Sequence, residues 1–222
     1  PQGKGPFPVH VFIHGGYWQE LSKKESTFAA PNFTAHDVVF IALDYTLAPV
    51  SSLFEIVQQV RNGIIWILKN IDKYGGDINN ITLSGSSAGA HLVAEILSMD
   101  WQDRGFDPCP IKGASMVSGI YDLRPLVYTY VNDPLKLAEE DAMALSPLFH
   151  IPDTACPVIF SFGENETDEF KRQTREYQTL WQAAGHQATY IDMPGFNHFD
   201  VILELNNQNS PLFTAILEQI SK

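Results

Sequence analysis

The run Ile81-Thr82-Leu83-Ser84-Gly85-Ser86-Ser87-Ala88-Gly89-Ala90-His91-Leu92-Val93 passes from a strand to a helix with almost nothing between them. Ile81 to Leu83 is short and apolar, as a buried strand is, and Ala90 to Met99 has the composition of a helix. Only Gly, Ser and Ala separate the two. So tight a turn presents its central side chain, Ser87, at the carboxyl end of the strand. Gly85 and Gly89 fit there because the helix and the strand approach too closely to admit a Cβ. A chance G-x-S-x-G match in a chain of this size has a probability of roughly 5–10%, so the placement carries the weight. The following helix also points its free N–H groups and positive dipole end toward charge developing near Ser87.

The same alternation extends in both directions. Val9 to Ile13 and Val38 to Leu43 are nearly all apolar, as strands covered on both faces must be. Ser51 or Ser52 caps a helix running to about Tyr74, with Phe54, Val57, Val60, Ile64, Ile67 and Ile71 at helical spacing. Gly75-Gly76-Asp77 ends it. Strands follow near Ile111–Val117, Val158–Phe162 and Ala188–Met193, with helices from about Glu169 to Ala184 and from about Pro211. Strands separated by helices need crossover connections, which predicts an α/β fold: a mostly parallel sheet with helices on both faces. Tyr121 to Pro152 breaks the rhythm, with four prolines and a short helical piece around Leu135–Ala144. An insertion of that length reads as a lid, at about 121–152. With no repeat, linker or low-complexity tract, residues 1–222 are expected to form one domain.

Composition narrows the function classes. The 222 residues are 45% hydrophobic and 18% charged, with 14 Lys+Arg against 26 Asp+Glu and a net charge of −12. So acidic a chain, lacking any basic run, repels phosphate backbones and anionic lipid heads, and no nucleic-acid partner is expected. No apolar run reaches the ~18–20 residues of a membrane span, and no signal peptide is visible at Pro1. Cys109 and Cys156 have neither metal nor redox spacing and read as reduced thiols of a cytoplasmic protein. Tyr128 and Tyr130 are open to three readings (interface, lid or plain packing), and a homodimer is carried as an expectation.

Three further segments supply chemistry to Ser87. His14-Gly15-Gly16-Tyr17-Trp18 follows the first strand, and its paired glycines let the amides of Gly16 and Tyr17 face the serine. With the amide of Ala88 they would form an oxyanion hole. His14 is read as a brace for this loop. Gly15, Trp18 and Tyr121 are candidates for the substrate pocket, although Tyr17 and Trp18 also suit a core. A serine hydroxyl needs a base. His198, in Pro194-Gly195-Phe196-Asn197-His198-Phe199 after the last strand, is the candidate; His10, His36, His91, His150 and His186 read as structural or surface residues. An acid must orient that imidazole, and the order serine, acid, histidine places it after Val158–Phe162. Glu164, Glu166, Asp168 and Glu169 all lie there, and composition does not choose among them.

Together these pieces resemble the α/β-hydrolase fold. Within it they are most similar to the arylformamidase (kynurenine formamidase) family of serine hydrolases, relatives of the hormone-sensitive-lipase-like esterases. The resemblance runs through His14-Gly15-Gly16-Tyr17-Trp18-Gln19, Asp44-Tyr45-Thr46-Leu47-Ala48-Pro49, Ser87-Ala88-Gly89-Ala90-His91-Leu92, Ser118-Gly119-Ile120-Tyr121-Asp122-Leu123 with Pro125, Glu169-Phe170-Lys171-Arg172-Gln173 and Asn197-His198-Phe199, from about Val9 to about Leu205. In the family a catalytic aspartate sits three residues after the strand-end glycine and three before the Glu-Phe pair. Both counts arrive at Glu166, a glutamate in place of the usual aspartate, with Asp168 as the alternative. Relatives also carry N-terminal strands before the His-Gly-Gly strand, and the resemblance implies that most of that segment is missing here.

The resemblance implies hydrolysis of an N-formyl arylamine, N-formyl-L-kynurenine being the family's substrate, by Ser87, His198 and Glu166. A short-chain carboxylesterase with the same machinery is the alternative, and a non-catalytic binding module is a third reading. A separate class of formamidases binds metal through a His/Asp-rich motif. No such spacing occurs in this chain, so neither metal nor cofactor is expected.

Overall fold

The computed structural model describes residues 1–153 and 155–222. Among these residues six strands, β1 (Phe7–Ile13), β2 (Val39–Leu43), β3 (Gly76–Ser86), β4 (Ile111–Val117), β5 (Val158–Gly163) and β6 (Ala188–Met193), form one sheet in the order β2-β1-β3-β4-β5-β6. Every neighbouring pair is parallel. Among the described residues seven α-helices accompany it: α1 (Ala30–Ala35), α2 (Leu53–Asn70), α3 (Ala88–Leu97), α4 (Asn132–Leu135), α5 (Glu139–Ala144), α6 (Asp168–Ala183) and α7 (Pro211–Ile220).

Strand alternation sorts the core into two layers. Val9, Val11 and Ile13 of β1 join Val158 and Phe160 of β5 on the face covered by α2, α3 and α6. Phe12 and Ile159 point the other way, against Phe33 of α1 and Leu212, Phe213 and Ile216 of α7. His10 shares that second face: it stacks on Phe33 at 4.4 Å and bonds Thr82 Oγ1 (2.9 Å) and Ser84 Oγ (2.7 Å). Burial pushes its pKa down to about 3, so the ring is neutral and structural.

Local signals explain most boundaries. Ser52 caps α2 in a capping box with Glu55, and a 3₁₀ turn (Ile71–Tyr74) carries the chain to Gly75, whose φ of +82° ends the helix. The expected apolar stripe of α2 needs a correction. Phe54 is 45% exposed, and Leu53 and Ile56 are buried instead, because the stripe starts at the first helical residue. Among the elements not anticipated are the Glu25–Ala35 turn and helix and the 3₁₀ segment Val201–Asn206. Both are too short to show a clear period.

The order of the strands positions the site. The chain runs from β1 outward to β2, then returns to place β3 on the opposite side of β1. That reversal opens a crevice beyond the carboxyl ends of β1 and β3, where parallel sheets bind ligands. The insertion between β4 and β5 consists of 3₁₀ turns around α4 and α5. Among the described residues no helix is long and apolar enough to cross a membrane. Cys109 and Cys156 are unpaired, with burial pushing the Cys109 thiol up to about 11 and the Cys156 thiol higher still.

Candidate active site

Ser87 occupies the elbow between β3 and α3 with φ +56° and ψ −121°, a conformation that a non-glycine residue seldom holds. Its amide donates to Val117 O of β4 (2.9 Å), and its carbonyl accepts from the amides of Ala90 and His91. Glycine is required on the helix side. A Cβ on Gly89 would lie 2.0 Å from Ile13 O and 2.7 Å from His14 O, so α3 rests directly on the end of β1. A Cβ on Gly15 would come within 3.1 Å of Ser87 Cβ. The two loops flanking the crevice are therefore in contact at the serine.

The loop after β1 is held in an unusual shape. Gly16, Tyr17 and Trp18 all have positive φ (+91°, +49° and +61°). Tyr45 stacks on the His14 ring at 4.2 Å, and its hydroxyl donates to His14 O (3.0 Å) and Gly15 O (3.2 Å). His14 Nδ1 donates to the same Gly15 carbonyl at 3.0 Å, the bracing part read for it in the sequence. A trans peptide is planar, so anchoring Gly15 O aims the Gly16 N–H the opposite way. Among the described residues the amides of Gly16, Tyr17 and Ala88 donate to no protein acceptor. Gln19 Nε2 ties the loop to the insertion through Val131 O (2.8 Å).

The acid loop and the histidine loop meet at the ends of β5 and β6. His198 Nδ1 donates to Glu166 Oε2 at 2.8 Å. The other carboxylate oxygen, Oε1, accepts from Ser118 Oγ (2.5 Å) and from the Gly163 amide (2.7 Å). Of the four carboxylates after β5, Glu166 alone is buried, and the glutamate's longer side chain reaches the ring from there. Glu164 turns away to accept from the Gly195 amide, and Asp168 begins α6 as an exposed residue. Phe170 packs on the imidazole at 4.1 Å. Among the described residues neither Ser87 Oγ nor His198 Nε2 makes a hydrogen bond, to each other or to another protein group. Such contacts often form only once substrate is bound.

Two pocket expectations need correcting. Trp18 and Tyr121 are both 0% exposed. Trp18 meets the edge of His91 at 5.0 Å and Tyr121 stacks on Tyr177 at 4.3 Å, so both rings serve the core. Gly15 does lie at the serine. Sequence reading also passed over residues that shape the site. Tyr45 and Ser118 stood inside segments quoted for the family resemblance, without a role. Gln173 on α6 accepts from the amides of Tyr121 and Asp122 and donates to Asp122 O, clamping the turn after Ser118. Burial pushes the Asp122 carboxyl up, but its hydrogen bonds with Arg124 outweigh this and leave it below the ordinary range. Among the described residues no cluster of three or more His, Cys, Asp or Glu could hold a metal ion.

A parallel sheet in this order, with a serine at the strand–helix elbow and a buried carboxylate on a late histidine, defines a hydrolase of the α/β-hydrolase fold. A solved hyperthermophilic esterase from Pyrobaculum calidifontis shares that fold, with a TM-score of 0.84 and 20% identity over 100% of this chain and 79% of its own. A family model described as BD-FAE matches residues 1–123. The kynurenine formamidase of Danio rerio is 36% identical over 228 residues, covering 100% of this chain and 76% of its own length. That of Salmo salar is 38% identical over 221 residues, covering 97% and 74%. The chain belongs to the kynurenine formamidase family.

Proposed function

We propose that the chain hydrolyses the formamide of N-formyl-L-kynurenine to L-kynurenine and formate, with Ser87 as nucleophile, His198 as base and Glu166 as the orienting acid. The observation that carries the assignment of roles is the buried Glu166–His198 pair, 2.8 Å apart, at the same sheet edge as the strained Ser87. Similarity to the curated kynurenine formamidases supports the substrate.

In this scheme Ser87 Oγ attacks the formyl carbon while His198 Nε2 takes the hydroxyl proton. Glu166 holds the ring in the tautomer with hydrogen on Nδ1 and stabilises the imidazolium that forms. The carbonyl oxygen becomes an oxyanion and accepts from the Gly16, Tyr17 and Ala88 amides, each such donor typically worth about 3–4 kcal/mol of barrier. Collapse breaks the C–N bond as His198 protonates the leaving arylamine nitrogen. Water, deprotonated by His198, then attacks the formyl ester, and formate leaves as Ser87 regains its proton. No cofactor enters the scheme, and its substrate is a small molecule in the cytoplasm, a setting that suits the two unpaired cysteines.

The test is turnover of N-formyl-L-kynurenine and of p-nitrophenyl acetate by the parent and by Ser87→Ala. Formamide cleavage that drops by at least about 10³-fold in the variant is expected. Turnover near the parent rate would sink the scheme, and ester cleavage without formamide cleavage by the parent would replace it with a carboxylesterase.

A further inference from the structure

Ser118 directly follows β4 beside the acid, and nothing in the reaction scheme uses it. It is 0% exposed, and its hydroxyl donates to Glu166 Oε1 at 2.5 Å. Its backbone has φ +51°, held by an amide hydrogen bond to Ser161 O of β5 at 2.8 Å. Glycine adopts that conformation without steric cost, whereas a serine does not. A strained serine that spends its hydroxyl on one carboxylate oxygen suggests that the hydroxyl is what the position supplies.

The Glu166 side chain has one more rotatable bond than an aspartate, and its carboxylate has two oxygens to direct. Oε1 receives two donors, the Ser118 hydroxyl and the Gly163 amide, and this leaves Oε2 facing His198 Nδ1. We infer that Ser118 is a positioning residue for the formyl-transfer step: it locks the rotamer of Glu166, and through Glu166 the orientation of His198. The inference rests on the triad reading above.

A double-variant cycle isolates that indirect action. Ser118→Gly removes the hydroxyl and relieves the backbone; Ser118→Ala removes it while keeping the Cβ, should the added glycine disturb folding. Each is combined with Glu166→Gln, and kcat and KM are measured on N-formyl-L-kynurenine, or on p-nitrophenyl acetate if the formamide is not cleaved. The expectation is a fall in kcat of about 10-fold, equivalent to about 1.4 kcal/mol, in the parent background with KM within about twofold. In the Glu166→Gln background the same substitution should change kcat less than about twofold, because the carboxylate it orients is gone. Equal losses in both backgrounds, or no loss in the parent, would overturn the proposal. A Ser87→Ala control with undiminished turnover would instead overturn the triad reading and leave the Ser118 result to be judged without it.

Discussion

Removing a single hydroxyl from Tyr45 tests how the loop proposed to form the oxyanion hole is held. In Tyr45→Phe the ring can still stack on His14 at 4.2 Å, while the donations to His14 O (3.0 Å) and Gly15 O (3.2 Å) disappear. A neutral hydrogen bond contributes about 1 kcal/mol net, so two carbonyls losing one shared donor should lower stability by about 1–2 kcal/mol. Catalysis should suffer for a different reason. Gly15 O keeps its bond from His14 Nδ1 but loses its second anchor, and the Gly16 N–H in the same peptide plane can swing. Deleting an oxyanion donor outright costs about 3–4 kcal/mol of barrier. Loosening one should cost about a third to a half of that, or roughly 10-fold in kcat with KM little changed. Thermal unfolding and steady-state kinetics on one preparation read both effects. A variant that loses stability yet keeps kcat would refute the claim that Tyr45 aims the amide, and a rise in KM alone would do the same.

Two further substitutions probe the helix carrying the elbow. Glu95 of α3 is buried, and burial pushes its pKa from 4.5 up to about 7 against the pull of Arg61, 2.8 Å away. The raised native pKa means that the folded state binds the proton more tightly. This contribution to stability is therefore full below about pH 4.5 and is lost as pH rises through about 7. Relative to Glu95→Gln, the parent should lose on the order of 3 kcal/mol of unfolding free energy between those limits, at 1.36 kcal/mol per unit. Parallel urea-unfolding curves for the two proteins at both pH values would contradict it. Gly89→Ala improves helix propensity by about 1 kcal/mol, yet its Cβ would sit 2.0 Å from Ile13 O. The clash should win by about 1–3 kcal/mol, lowering Tm by several degrees and kcat with it. A higher Tm would show that α3 does not rest on β1 as described.

How much was legible in the sequence depended on the range of the interaction. The G-x-S-x-G turn, the Ser52–Glu55 capping box and the Gly75 stop act over a few residues, so their letters sufficed. Strand and helix types followed from apolar period, and so did the parallel sheet. The phase of α2 did not, because Phe54 and Leu53 are both apolar and only packing against the sheet shows which is covered. Spacing within the acidic loop led to Glu166 only with the help of the family pattern, since the four carboxylates between Glu164 and Glu169 are chemically alike.

What the chain's own order of residues settled was the layered α/β architecture and the segments that carry Ser87, His198 and the candidate acids, because turn chemistry and periodicity are local. Tertiary structure alone decided that Trp18 and Tyr121 belong to the core, and that Tyr45 and Ser118 brace the site. Those outcomes turn on contacts among the segments that follow β1, β2, β4 and β5 and helices α3 and α6, brought together by parallel pairing across crossovers. Burial and hydrogen-bond partners at such distances come from the fold as a whole and not from neighbouring letters.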